Sequence, residues 1–337
     1  MNTSSLWLTP PDTSIVLTDL TFEEVTAKLD VHAFIDRLFP FAWPDQTQTQ
    51  QALVQTGVCT TTESGLLSIT AAGALMLARD LAIFPQLYHA APQVIRYAGA
   101  DRLNIADRTT FSQGFLLALP RLVDHLTAIL PRARSSQSTQ AQFAPAVPTD
   151  AIRELAANTL VHQDLTACDA HPTIELFPDR IEFTNPGPLP MEALRIADAT
   201  PLPRNPQLSQ LAKALNLTES THDAGWLRII DALDQAKLPA PSVESIGTTT
   251  RATLYLPLPY REQSPEARRR ACYWHACAQY QHGSSATNAS IRERFDLPAT
   301  SAAQVSRLLR DCVTAGILHP ARAQYSKRNT SYLPYWV

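Results

Sequence analysis

Between Asp150 and Thr184 the chain changes its apolar period once, from that of a helix to that of paired strands. The segment Asp150–Asp164, DAIRELAANTLVHQD, repeats apolar residues at three- and four-residue intervals, which predicts an amphipathic helix. It is followed by PTIELF (172–177) and RIEFT (180–184), two β-branched runs separated by the turn pair Pro178-Asp179. A helix with one apolar stripe feeding directly into a hairpin buries that stripe by lying on the sheet. Further helices are predicted near Pro206–Leu215 and Ala224–Lys237, and a further strand over Arg251–Leu256. The order predicts an α+β fold with helices on one face of a mostly antiparallel sheet.

Two stretches read as linkers: Arg132–Asp150, rich in Ser, Gln, Ala and Pro, and Pro257–Pro265. They divide the 337 residues into an N-terminal α+β region (1–131), a linker (132–150), a central unit (151–259) and a C-terminal unit (264–337). In the first, Thr21-Phe22-Glu23-Glu24 matches a capping box opening a helix that runs to Phe39. Thr70 caps a second helix, Gln93–Tyr97 is a short strand, and Phe111–Leu130 is helical around Pro120. In the last, helices are predicted over Pro265–Tyr280, Asn288–Arg294 and Ser301–Ala315, the last ended by Gly316. Two strands around a basic turn close the chain. Three helices and a two-stranded wing describe a winged helix-turn-helix.

Charge separates the same regions. From Ser264 onward there are ten Arg and Lys against four Asp and Glu, while the whole chain is at −3, so a basic C-terminal unit follows an acidic body. That asymmetry points to an anionic partner at the C-terminus. No apolar run reaches the roughly 18–20 residues of a membrane span, and the N-terminus lacks a signal-peptide pattern. A cytoplasmic location is expected. Five irregularly spaced cysteines do not form a disulfide framework. Cys272, His275 and Cys277 fall on one helix at spacings that converge poorly on an ion, and read as packing residues.

A Walker A loop needs Gly before Lys, and each of Lys28, Lys213, Lys237 and Lys327 follows Ala or Ser. A P-loop motor is excluded. Glu154 and Asn158 share a helix face at i,i+4. A carboxylate there can activate water as a general base, and an amide oxygen one turn on can join a Mg²⁺ shell. The pair alone is a weak signal, since solvated helix faces carry it too.

The run from Ile152 to Pro190 resembles the nucleotide-binding domain of RecG-related, Schlafen/AlbA-type ATP-binding transcriptional regulators, which carry a GHKL (Bergerat-type) α/β sandwich. The residues that carry the likeness are Glu154 and Asn158, His162 and Asp164, the strand pair, Asn185-Pro186-Gly187-Pro188-Leu189-Pro190, Arg204-Asn205-Pro206, and the segment 221–241 around Gly225. The resemblance implies that Glu154 activates water and that Asn158 holds Mg²⁺. It implies that Asn185 meets the adenine amine, that Gly187 lets the backbone approach the nucleotide, and that Gly225 opens a helix facing the phosphates. Most GHKL proteins place Asp where Asn185 stands; the amide keeps an acceptor but loses a charge, about 1 kcal/mol of hydrogen bonding. Relatives carry two glycines where this chain has Asp223-Ala224-Gly225-Trp226. His162 and Asp164, two residues apart, read as turn capping rather than a catalytic dyad. Relatives also carry an AlbA-type domain ahead of this region. The chain is expected to lack it, so that a partner supplies it or the protein works without it.

Ser301, Gln304, Arg307 and Arg310 lie on or beside one face of the predicted recognition helix, where Arg and Gln read base edges. Ser301, Lys327 and Arg328 suit phosphates, while Leu308, Leu309 and Val313 face the core. The expectation is a homo-oligomeric, DNA-binding transcriptional regulator in which ATP and Mg²⁺ order a lid between Leu189 and Ala224. The alternatives are an active ATPase in DNA processing or phage defence, and a degenerate GHKL scaffold for dimerisation.

Overall fold

The computed structural model describes residues 10–42, 44–134, 143–199, 203–217, 225–321 and 330–337. The N-terminal part contains β1 (Ile15–Leu20), α1 (Phe22–Lys28), α2 (Val31–Leu38), α3 (Gln46–Gln55), β2 (Cys59–Thr61), β3 (Leu67–Thr70) and α4 (Ala71–Leu77). Its strands form an antiparallel sheet in the order β1-β3-β2. Thr21 closes the expected capping box with Glu24. The helical spacing that runs to Phe39 covers two helices rather than one. Leu29 is extended and bridges Ala78, and Asp30 starts α2 afresh by accepting from the Ala33 N–H at 3.1 Å. Thr70 caps α4, every residue of which is buried.

The chain continues through β4 (Gln93–Tyr97), β5 (Ile105–Thr110), α5 (Phe115–Ile129), β6 (Arg132–Arg134), β7 (Phe143–Pro145), α6 (Thr149–Val161), β8 (Thr173–Leu176) and β9 (Arg180–Pro186). Then come α7 (Pro206–Ala214), α8 (Gly225–Gln235), β10 (Ser242–Ile246) and β11 (Thr249–Tyr255). Six strands form one mixed sheet in the order β10-β11-β9-β8-β4-β5, with β4 and β8 parallel and the other pairs antiparallel. The sheet thus draws strands from both sides of residue 131, so the separation expected there is not a break in hydrogen bonding. Nor is the segment after 131 wholly irregular: β6 and β7 pair as a hairpin.

Register gives the sheet two unlike faces. Val94, Ile174, Phe183, Ala252 and Val243 stand side by side across five strands, all buried, and α5, α6 and α8 pack against one another over this layer. One residue along, the opposite face carries Ile95, Glu175, Glu182 and Thr253 in a row. Glu175 and Glu182 are directly opposite, an arrangement that repels unless a cation bridges it. Arg102, from the β4–β5 loop, does so: it donates to Glu175 at 2.9 and 3.0 Å and to Glu182.

The C-terminal unit comprises α9 (Pro265–Gln281), β12 (Ala286–Thr287), α10 (Asn288–Arg294), α11 (Ala302–Thr314), β13 (Leu318–Pro320) and β14 (Ser331–Pro334). The three helices pack on an antiparallel sheet ordered β12-β14-β13, so a third strand joins the two expected. Gly316, at φ 71°, ends α11 in the left-handed region as a C′ glycine does. Among the described residues, no helix is long and apolar enough to cross a membrane.

Candidate functional site

Helix α6 is nearly surrounded by protein, and its exceptions matter. Glu154 is buried, yet it is a carboxylate. Its Oε2 accepts from Arg228 Nη2 at 2.6 Å, which joins α6 to α8. A cleft of about 200 Å³ lies beside this pair, lined by Asp150, Arg153, Asp231 and Gln235 among others. Asp150 of α6 thus shares a cleft wall with Asp231 and Gln235 of α8, while Glu154 meets Arg228. The helices are antiparallel, and Gly225, which opens α8, lies toward the Asn158 end of α6. Asn158 is half-buried.

The C-terminus of α6 is tied down by the turn singled out in the sequence. Asn205, fully buried, donates through Nδ2 to the Val161 and Gln163 carbonyls at 2.9 and 2.7 Å, satisfying groups that a helix end leaves open. Arg204 beside it donates to the Pro188 carbonyl at 2.8 Å. Its guanidinium lies directly over Gly187, which has φ 98°; a Cβ at Gly187 would collide with it. The open space that the missing side chain leaves is therefore held by Arg204.

Asn185 sits at the end of β9, opposite Thr250. Its Nδ2 donates to the Pro186 carbonyl at 3.0 Å and the His162 carbonyl at 3.4 Å, which leaves Oδ1 as the acceptor. Asp164 accepts from the Thr166 N–H and hydroxyl at 3.0 and 2.7 Å, a local turn cap. Asp223 and Ala224 lie outside the described residues. Trp226, out of place in a phosphate-facing loop, has a packing role: its ring meets Trp274 of α9 edge to face, 5.6 Å between centroids.

The fit to a nucleotide is partial. An acceptor stands at Asn185, a half-buried amide at Asn158 and a helix start at Gly225. Against these, Arg204 covers Gly187 and Arg228 holds Glu154. Among the described residues, no group of three or more His, Cys, Asp and Glu can hold a metal ion. Mg²⁺ would depend on Asn158 and the phosphates themselves.

The second set of residues lies on α11. Val305, Leu308, Leu309 and Cys312 are buried, while Gln304, Arg307 and Arg310 are exposed and Ser301 and Val313 are half-buried. Asn288 fixes the angle of α10 to α11 by donating to the Ala302 carbonyl and the Ser306 hydroxyl at 2.9 and 3.0 Å. Lys327 and Arg328 lie outside the described residues. The nucleotide and α11 sets do not meet. They are joined through α8, where Asp234 accepts from His275 of α9 at 2.7 Å and pairs with Arg294 of α10 at 2.5 Å. Cys272 and Cys277 are buried on α9, where His275 is turned to Asp234.

Sequence reasoning missed Arg228 and Asp234, and it read Arg204 only as part of the Arg204-Asn205-Pro206 turn, not as the side chain that covers Gly187. Each acts on a partner distant in the chain, and an isolated Arg or Asp carries no local signal for that.

Residues 169–254 match the model of a family described as "Putative ATP-dependent DNA helicase recG C-terminal". The match takes in β8 through most of β11, and begins after α6, so Glu154 and Asn158 fall outside it. No curated protein sequence is significantly similar to the chain. Among solved structures, that of the DIP2311 protein from Corynebacterium diphtheriae is similar, with a TM-score of 0.60 and 17% identity. The likeness covers 96% of this chain and 64% of that one, and at that identity it is a likeness of fold.

Proposed function

We propose that the chain is a DNA-binding regulator, in which a GHKL-type nucleotide site controls association between chains and so the binding of DNA by a C-terminal winged helix. The observation that carries the nucleotide half is the antiparallel pairing of α6 and α8 through Glu154 and Arg228. It brings the Asn158 end of one helix toward the N-terminal amides of the other, beside the Asn185–Pro190 turn, and helix N-termini favour phosphate. The match of residues 169–254 to a RecG-type C-terminal family supports the same reading. ATP would supply the triphosphate and Mg²⁺ its counter-charge; Asn158 would hold the metal, Asn185 the adenine amine, and Glu154 the attacking water. The DNA half is supported by the exposed Gln304, Arg307 and Arg310 on α11.

A second reading has its own support. Arg204 fills the space over Gly187 and Arg228 engages Glu154, as in a scaffold that keeps the fold and dimerises without nucleotide. Calorimetry with Mg-ATP, followed by sedimentation and duplex-binding measurements with and without the nucleotide, separates the two. Binding that shifts oligomeric state or DNA affinity supports regulation. Unchanged values of both in saturating Mg-ATP sink it.

A further inference from the structure

Arginines are distributed in two ways in this protein. Among the described residues, Arg79, Arg102, Arg180, Arg195, Arg228, Arg251 and Arg294 each lie within ion-pair distance of a carboxylate. Others, such as Arg37, Arg121, Arg153, Arg270 and Arg292, do not, and neither do Arg268 and Arg269 of α9 or Arg307 and Arg310 of α11. Three of these four line one groove of about 380 Å³ between α9 and α11: Arg268, Arg269 and Arg307, with Gln304, Tyr260 and a single carboxylate, Asp311.

We propose that this groove takes a phosphodiester of the DNA backbone, and that Arg268 and Arg269 are DNA-contacting residues beside the α11 set. The inference rests on the DNA reading given above and adds a second helix to it. The geometry of Arg268 fits the role. Its Nε donates to the Tyr260 carbonyl and its Nη2 to the Arg261 carbonyl, both at 3.0 Å, and its guanidinium stacks 4.4 Å from the Tyr260 ring centroid. A guanidinium has five N–H donors, so a fixed fork still has donors for a phosphate oxygen. Arg269 is half-buried and adds its charge at the next position. Gln304 and Arg307 are exposed on the other wall. A phosphate seated here would put the backbone against α9 and leave Arg310 free for a groove edge, the division of labour in which phosphate contacts position and base contacts specify. Asp311 opposes an anion and limits how tightly it is held.

The test is the salt dependence of binding to a fluorescently labelled duplex of arbitrary sequence, measured by anisotropy on the full chain. Each phosphate contact contributes about −0.9 to the slope of log K against log salt. Arg269→Ala is expected to flatten the slope by about that amount, Arg269→Lys to restore it, and Asp311→Asn to tighten binding. Polyglutamate of matched charge is expected to compete poorly. Thermal melts check that the variants fold, and Arg269→Glu gives a second, charge-reversed variant at the same position. Unchanged slope and affinity in folded Arg269→Ala and Arg269→Glu overturn the groove assignment while leaving DNA binding intact. Competition by polyglutamate as strong as by unlabelled duplex also overturns it. A wild type that does not bind duplex overturns the DNA reading itself, and the groove with it.

Discussion

Arg228 donates to Glu154 across the α6–α8 boundary at 2.6 Å, and the two side chains differ sharply in exposure, 36% against 7%. The buried carboxylate that the proposed chemistry needs is thus held by a guanidinium that reaches solvent. A carboxylate oxygen engaged in a charge-assisted bond is less available to orient water. If Glu154 is the base, Arg228→Ala should raise ATP turnover by about tenfold, equivalent to roughly 1.4 kcal/mol off the barrier. The double change Arg228→Ala with Glu154→Gln should return turnover to background. Phosphate-release assays measure both, and equal turnover in the two variants removes Glu154 from the reaction.

On the resemblance, Asn185 stands where most GHKL proteins carry Asp, so introducing the acid looks like a route to tighter adenine binding. The structure adds a cost. Nδ2 of Asn185 is the donor to the Pro186 and His162 carbonyls, and a carboxylate cannot donate to either. Asn185→Asp is expected to destabilise the fold by about 1–3 kcal/mol, the cost of leaving buried polar groups without partners. A drop in melting midpoint shows this. Calorimetry then reports any gain in Mg-ATP affinity separately, and an unchanged midpoint would mean that these hydrogen bonds contribute little.

The Glu175–Arg102–Glu182 cluster predicts acid sensitivity. Burial pushes the Glu175 carboxyl up, but hydrogen bonds from Arg102 and Tyr97 and the nearby positive charge outweigh it, leaving the group below its ordinary 4.5. A carboxyl depressed in the folded state stabilises fully above its unfolded value and loses that contribution as pH falls through the folded value. Stability should therefore be flat above about pH 5 and decline below about pH 4. Glu175→Gln should be less stable at neutral pH and show a shallower decline. Urea midpoints taken across this range measure both, and parallel pH profiles for the two proteins would remove Glu175 as a source.

What the sequence disclosed and what it concealed follow from where side chains point. The α6 helix, the β8–β9 hairpin and the exposed face of α11 were legible because each has one buried side and a local period. Strand β5 was not: five of its six residues are exposed, so IADRTT has no apolar alternation to read, and it is a strand only because β4 offers hydrogen bonds. Strand β10, at the other edge of the sheet, is equally plain in sequence. The break between α1 and α2 hid because the apolar spacing continues through it. At the site, Glu154 and Asn158 share a helix turn and could be paired by eye, whereas Arg228 lies 74 residues from Glu154. Arg268 and Arg269 carry no local sign of a shared surface; only the approach of α11 makes them line a groove.

Asp234 tests whether α8 holds the two halves together. It accepts from His275 and pairs with Arg294, whose side chain is 1% exposed and also donates to the Leu238 carbonyl at 2.6 Å. A guanidinium so deeply buried depends on its counter-charge. Asp234→Ala should cost about 3–5 kcal/mol, the range for stranding one member of a buried pair. Arg294→Met should also destabilise, since it leaves Asp234 facing His275 alone. The double variant should be more stable than the sum of the singles predicts, because the charge that each single strands is gone; contacting residues in one network are where additivity fails. Urea unfolding followed by tryptophan fluorescence suits the measurement, as Trp274 packs on Trp226 of α8 and donates to the Pro241 carbonyl at 3.1 Å. Additive losses would mean that Asp234 and Arg294 act independently, and that the packing of Trp226 on Trp274, rather than the ion pair, joins the site helix to the C-terminal unit.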